Sequence, residues 1–573
     1  MTPTHPQRSA PALLARRYGP LAVATALIVG AVALFGGDGT DNGRGQPAGG
    51  DTEATSHDEL VLAGPMTPQR AELEGVEVDF GSKCDPDTGR IRLISVQAPP
   101  CVEPFEGDNG GATSPGVTED EILVVLYRSD PSLDPLTAAT ISGAGADVDP
   151  ATYVETVDGY VDLYNELYET YGRTVRVEVF TGTGAGDDTV AARADAIAIA
   201  EKNPFIVLGG PIQASSVFSS ELAARGIICG PGCTLAVVEE IVKENAPYIW
   251  SAGPTPDQAA ALASEMVAKL AGPGKATMAG DPALREQDRV YALVHYDTPD
   301  GDHQKVFEAL RASLADNGIE LATDVEFTLD LARSQENART NISKLQAAGV
   351  TTIIYYGDPI TPGALTTEAT AQGFHPEWIL GPSVMADTTI FARLTDHDQW
   401  KNGFGLALSA ARGEPETVTA FKIYEWAHGE PPPNNTASVS EAYIRTLFNG
   451  VHLAGPDLTP ESFRDGLFRF PPSGGGPTTP LTSRGHHAIW PDVDWGGSDD
   501  AAIIWFDPEA TGTDEVGNEG VGMYRYALEG KRYTLGNLPD SPEEAGLFDV
   551  DSSITIFEEV PAEDLTPEYD APG

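Results

Sequence analysis

Short apolar runs that end in small-residue loops recur along this chain, and each is followed by a stretch of helical period. "EILVVL", "FIVLGG", "GIICGPGCT", "RVYALVHYD", "VTTIIYYGD" and "WILGPS" are the length of buried strands. Between them, Val157, Tyr160, Val161, Tyr164, Tyr168 and Tyr171 repeat at helical spacing, with Gly172 placed to end that helix. "DDTVAARADAIAIAEKN", "HQKVFEALRASLADNG", "ENARTNISKLQAAG" and "GALTTEATAQGF" read as helices too, as does "TPDQAAALASEMVAKLAG" with Thr255 as its N-cap. Strand and helix in alternation predict an α/β fold with mostly parallel sheets flanked by helices. The pattern falls into two halves of similar build, and after "GFGLALSAARGEP" the chain turns helical twice more. Two lobes around a cleft are expected. From about Pro471 Gly, Pro and strand-like pieces dominate, "AAIIWFDPEATGTDEVGNEGVGMYRYALEGKRYTL" predicts a β-hairpin, and the last dozen or so residues read as disordered.

At 573 residues the chain exceeds one ordinary domain, and 41% hydrophobic residues suffice for a real core. Its 86 acidic and 35 basic residues leave a net charge of -51, which argues against general affinity for nucleic acid or anionic membranes. The N-terminus sets two arginines before "LAVATALIVGAVALF", the pattern of a secretory signal or an N-terminal anchor. An extracytoplasmic protein is expected, secreted or tethered to the cell membrane. The expected organisation is a signal or anchor (1–36), a flexible acidic linker (37–75), a cysteine-bracketed lead-in (76–115), the first part of lobe 1 (116–253), lobe 2 (254–408), a return segment to lobe 1 (409–470), a β-rich C-terminal extension (471–560) and a tail (561–573).

Four cysteines fall as local pairs, Cys84 with Cys101 and Cys229 with Cys233. Disulfides persist outside the cytosol, and neither pair has C-x-x-C spacing or a nearby histidine, so disulfides are favoured over metal or thiol chemistry. "SRGHHAIWPDVDWGG" gathers two histidines and two aspartates without a zinc spacing, and "DPEATGTDEVGNEG" breaks the order of a calcium loop. No metal and no cofactor is expected. With no G-x-S-x-G elbow and no G-x-x-x-x-G-K-[ST] phosphate loop, an enzyme has no positive support.

The order and spacing of "GVTEDEILVV", "FIVLGGPIQASSV", "GIICGPGCT", "PYIWSAGPTPDQAAALA", "VTTIIYYGDP" and "WILGPSVMAD" resemble the type I periplasmic solute-binding proteins, such as the branched-chain amino-acid binding proteins of ABC importers, over residues 116 to 455. The "CDPDTGR…APPC" lead-in looks like an elaboration of actinobacterial members. The resemblance implies a small polar solute (amino-acid-like, amide or carboxylate) clamped between lobes and passed to an ABC permease. It places Gln213, Ala214, Ser215 and Thr234 where relatives hold the ligand carboxylate, and Gly232 where backbone approaches it. Arg128, just after the first strand, is a cation for a carboxylate or pairs with Asp130. Tyr296 completes the expected set with two second-lobe positions that depart from the family. Relatives carry a glutamate for the ligand ammonium where this chain has Ser383, and their aromatic clamp is replaced around Asp358. The branched-chain amino-acid inference therefore does not follow. The alternative is a tethered sensor or interaction protein that reuses the fold.

Overall fold

The computed structural model describes residues 57–133, 149–233, 237–251, 253–296, 301, 303–327, 333–381, 383, 385–487 and 489–572. The expected signal or anchor and most of the linker lie outside these residues. No helix among the described residues is long and apolar enough to cross a membrane.

A small antiparallel hairpin, β1 (Cys84–Asp85) and β2 (Arg90–Ile91), precedes the first lobe. That lobe carries β3 (Glu121–Arg128), β4 (Thr174–Thr181), β5 (Ile206–Leu208) and β6 (Ile228–Cys229) in the order β4-β3-β5-β6, all parallel. The second carries β7 (Tyr291–Tyr296), β8 (Leu321–Phe327), β9 (Thr352–Tyr356), β10 (Glu377–Leu380) and β11 (Gly403–Ala407), parallel in the order β8-β7-β9-β10-β11. The chain is a two-lobed α/β protein. Near-continuous apolar runs such as "ILVVL" make central strands because helices cover both sheet faces. Ile122, Val124 and Val125 are wholly buried.

The helix Pro150–Leu167 starts where Asp149 accepts a hydrogen bond from the Ala151 amide, and it buries Val157, Tyr160, Val161 and Tyr164 at helical spacing. It ends short of Gly172. Tyr168 is already extended, and Tyr171 and Gly172 both adopt left-handed conformations in the turn that follows, so the aromatic spacing overstates the helix by one turn. Thr255 and Gln258 form a reciprocal capping box at the helix Pro256–Met266, as the cap residue predicts. The strand β8 has no counterpart in the sequence reading. It is an edge strand with Asp324 and Glu326 on its exposed face, so it lacks the apolar run that marks its neighbours.

The C-terminal residues do not stand apart. β12 (Asp500–Thr513) pairs antiparallel with β11, Leu406 opposite Ile503, and forms the expected hairpin with β13 (Glu519–Ala527). β14 (Arg532–Thr534) and β15 (Ser553–Ile554) add to this hairpin, so nine strands make one sheet. Two regions expected to be flexible are ordered. Residues 57–75 include the helices His57–Ala63 and Pro68–Glu74, the second opened by Thr67 and closed by left-handed Gly75. The tail is fastened as well. Trp426 donates to the Tyr569 carbonyl at 3.0 Å, the Tyr569 hydroxyl to Asp85 at 2.8 Å, and Asp564 accepts from Thr478. These segments are polar and lack periodicity, yet a surface that is already folded supplies their partners.

Both cysteine pairs are disulfides, Cys84–Cys101 and Cys229–Cys233. The stapled lead-in is held to lobe 1 by His452, which is buried on the helix Ala437–Ala454. Its Nδ1 accepts from the Glu169 amide at 2.8 Å and its Nε2 lies 3.0 Å from the Pro100 carbonyl. Burial pushes this histidine down to about 4. The unfolded chain therefore takes up a proton that the folded one refuses between pH 6.5 and 4. Stability from this residue is complete above 6.5 and is lost on acidification, by about 3 kcal/mol in all. Denaturant unfolding of His452→Gln should show a shallower acid limb than wild type, and an unchanged limb would exclude His452 as its source.

Candidate functional site

In open α/β sheets ligands sit outside the carboxyl ends of the strands. In lobe 1 three neighbouring strands end together. Leu126 of β3 is in register with Leu208 of β5, so Arg128 and Gly210 follow side by side, and Gly210 lies against the Cys233 backbone. A side chain at Gly210 would crowd Cys233, and one at left-handed Gly232 would overlap the Tyr443 ring. Glycine at 210 lets the two loops meet, and at 232 it leaves room for the Tyr443 ring.

The helix Ser215–Ala223 begins at this edge with no side-chain cap. The Gln213 and Ala214 amides are both taken by the Gly186 carbonyl, at 3.0 and 2.8 Å. Ser215 is 2% exposed, and its hydroxyl has no hydrogen-bond partner. A buried hydroxyl normally finds one. Here it stands in the first turn of a helix, where backbone N–H groups and the macrodipole favour an anion.

The Arg128 guanidinium stacks on the Tyr153 ring at 4.1 Å, and among the described residues no carboxylate pairs with it. The Asp130 carboxylate is used instead by the Ser132 amide and hydroxyl, at 2.8 and 2.7 Å. Burial lowers the Arg128 pKa, the mark of a cation without a counter-ion. Behind it the buried phenol of Tyr153 influences that of Tyr443, the residue that backs Gly232. Nothing in the local sequence pattern marks Tyr153 or Tyr443, because both sit on helices that reach this edge from elsewhere in the chain. Thr234 lies outside the described residues.

Lobe 2 is different. Asp358 is consumed by structure: Oδ1 accepts from the Ile360 and Thr361 amides, both at 2.8 Å, and Oδ2 from the Thr361 hydroxyl at 2.6 Å. Both oxygens thus serve the turn that leads into the helix Thr361–Ala371. The Ser383 hydroxyl accepts from the Gly357 amide at 3.0 Å, which ties the loop after β10 to the loop after β9 and occupies that oxygen within the fold. Tyr296 ends β7 half-buried, its ring 6.5 Å from that of Phe327. Asp387, just beyond Ser383, is buried and pushed up to about 6 by desolvation, and its Oδ1 has no partner. Thus donors and positive charge gather on lobe 1, while the acids of lobe 2 are capped or raised in pKa.

A family model described as periplasmic binding protein matches residues 137–491. The chain belongs to this periplasmic binding protein family. The family's fold binds solutes without altering them. Solved structures of ABC transporter solute-binding proteins align with the chain. An ABC transporter substrate-binding protein from Aeropyrum pernix aligns with a TM-score of 0.50 at 12% identity, covering 75% of this chain and 99% of that one. A fatty acid ABC transporter substrate-binding protein from Thermomonospora curvata has a TM-score of 0.48 at 14% identity, covering 78% and 99%. A solute-binding protein of an ABC transporter from Rhodopseudomonas palustris HaA2, in complex with p-hydroxybenzoic acid, has a TM-score of 0.49 at 13% identity, covering 74% and 98%. No curated protein matches the chain by sequence.

Proposed function

We propose that this periplasmic binding protein captures a small carboxylate-bearing solute between its lobes, outside the cytoplasm, and presents it to an ABC permease. The half-buried Arg128, which no carboxylate of the described residues pairs, carries this reading together with the uncapped helix at Ser215. A guanidinium matches a carboxylate through two parallel hydrogen bonds, and the helix N-terminus adds donors on the same side. An α-ammonium group is not required of the solute, because the family's glutamate is absent and Asp358 and Ser383 are engaged within the fold. The solute bridges the lobes only when they close, so binding draws the population toward the closed form.

A thermal-unfolding screen tests this with carboxylates, their matched amides, amino acids, alcohols and short peptides. At a hundred times its dissociation constant a ligand of the folded form stabilises it by about 2.7 kcal/mol. Carboxylates are expected to shift the transition where the matched amides do not. An equal shift by acid and amide would remove the charge-based assignment.

A further inference from the structure

The C-terminal hairpin reaches well beyond the sheet it joins. β12 pairs with β11 over Ala502–Trp505, and past Asp507 it continues with β13 to a turn at residues 514–518. The register of the two strands shifts between Asp507 and Thr511, around Pro508, and a bulge of this kind bends the arm. Lobe 2 holds the bent arm in place. Arg393, just past the helix Thr389–Ala392, donates to the Gly512, Asn518 and Gly522 carbonyls at 2.7, 2.9 and 3.0 Å. Arg412, in the segment after β11, donates to the Thr513 hydroxyl at 2.9 Å.

The tip of the arm grips the segment that follows β10. Glu515 Oε1 accepts from the Thr389 amide at 2.7 Å and its Oε2 from the Ile390 amide at 2.9 Å. Beside it, Val516 packs on Ile390 and Phe391, as do Ile360, which follows β9, and Met385, which follows β10. From the body of the arm the Tyr524 hydroxyl donates to the Ala386 carbonyl at 3.1 Å. The segment held in this way is strained. Met385 has a φ of 61°, in the left-handed region that bulky side chains seldom enter. Thr388 donates both its amide and its hydroxyl to the Met385 carbonyl, at 3.1 and 2.6 Å. Such a conformation persists only where its surroundings over-determine it, and the hairpin tip supplies a large part of those surroundings.

We propose that the tip of the C-terminal hairpin is a working part of the solute site: Glu515 and Val516 are positioning residues that hold Met385–Ile390 in the shape lobe 2 presents to the solute. The inference rests on the solute lying between the lobes, outside the carboxyl ends of the strands, where this segment follows β10. Backbone amides take both Glu515 oxygens, so the residue acts through the segment and sets the fraction of molecules already in shape. Apparent affinity scales with that fraction. Once bound, the solute itself holds the segment. Loss of the tip contacts therefore slows association and leaves dissociation as it was. A residue that touches the solute behaves in the opposite way, because lost contacts act mainly on dissociation.

Stopped-flow tryptophan fluorescence of the full-length protein tests this in Glu515→Ala and in Val516→Ser, which keeps the carboxylate and removes the packing. The probe is the compound that shifts thermal unfolding most in the screen, carboxylate or not, so failure of the charge-based assignment leaves the test intact. If the shaped segment falls to about a tenth of molecules, association slows about tenfold while dissociation stays within about twofold. Glu515→Gln, with one acceptor oxygen left, is expected to lie between wild type and Glu515→Ala. Without ligand, hydrogen exchange at the Thr389 and Ile390 amides should be faster in Glu515→Ala than in wild type. Unchanged association in both variants would overturn the assignment, and so would a loss carried by dissociation alone. Equal exchange at both amides in wild type and Glu515→Ala would show that Glu515 does not hold the segment, whatever binds. A screen in which nothing binds would remove the solute reading and this inference with it.

Discussion

Replacing Arg532 with methionine is expected to remove about 3–5 kcal/mol from the free energy of unfolding, the cost of stripping a buried carboxylate of its partner. The Arg532 guanidinium is fully buried and serves four acceptors: Asp500 Oδ1 at 2.9 Å, the Asp500 carbonyl at 3.1 Å, and the Ser409 and Leu408 carbonyls at 2.8 and 3.0 Å. It thereby fastens β14 and the foot of β12 to the segment that follows β11. Even with this partner, desolvation holds Asp500 above the ordinary carboxylate range, so the ion pair itself is only a weak source of stability. The large loss comes from what the substitution leaves behind: a buried charge left with the Leu481 amide at 3.1 Å, and three carbonyls deprived of this donor. Adding Asp500→Asn should recover part of it by removing the charge, though the carbonyls stay bare. Denaturant titration of the two variants checks both statements, and a single-variant loss below about 1 kcal/mol would mean that the site reaches water.

Arg128→Gln is expected to weaken binding of the carboxylate solute by roughly 10- to 150-fold, the equivalent of about 1.5–3 kcal/mol for a hydrogen bond to a charged group. The empty protein should hardly notice the change. Among the described residues Arg128 forms no ion pair, and it is desolvated, so its removal relieves a penalty while losing the Tyr153 stack. The net shift in stability should stay within about 0.5 kcal/mol, as for a surface substitution. Titration calorimetry with the carboxylate identified by the thermal screen measures the first quantity, and thermal unfolding without ligand the second. Undiminished affinity would remove Arg128 from the site. A sharp drop in stability would make it a structural residue instead.

The two variants separate two uses of a buried arginine. Arg532 is surrounded by acceptors of its own chain and acts through the fold. Arg128 has an aromatic shelf and, among the described residues, no acid, the state of a group that meets its partner only on binding. Their surroundings in sequence do not distinguish them, since each follows or opens a strand and each has an acid nearby. For Arg128 that acid, Asp130, turns out to serve Ser132.

How far the primary structure can be read depends on where each determinant resides. Strand-length apolar runs and helical spacing are local, so the alternation of β3 to β6, the strands β7, β9 and β10, the N-cap at Thr255 and the paired cysteines are legible before any contact is known. Ser215 and Gly232 could be placed because helix starts and tight loops leave local marks. Edge strand β8, the ordered tail and the two helices before Gly75 could not, because polar segments take their order from surfaces built elsewhere in the chain. Nor was the engagement of Asp358 and Ser383 decided locally, since one carboxylate serves equally as helix cap or ligand contact until its hydrogen bonds are known. The stretch "SRGHHAIWPDVDWGG" is the clearest case: it offers histidines and aspartates without a metal spacing, and only the fold buries Asp494 and brings the Gln258 amide to it. Sequence distance carries no information about that encounter, because desolvation and pairing energies depend on what surrounds a carboxyl group in space.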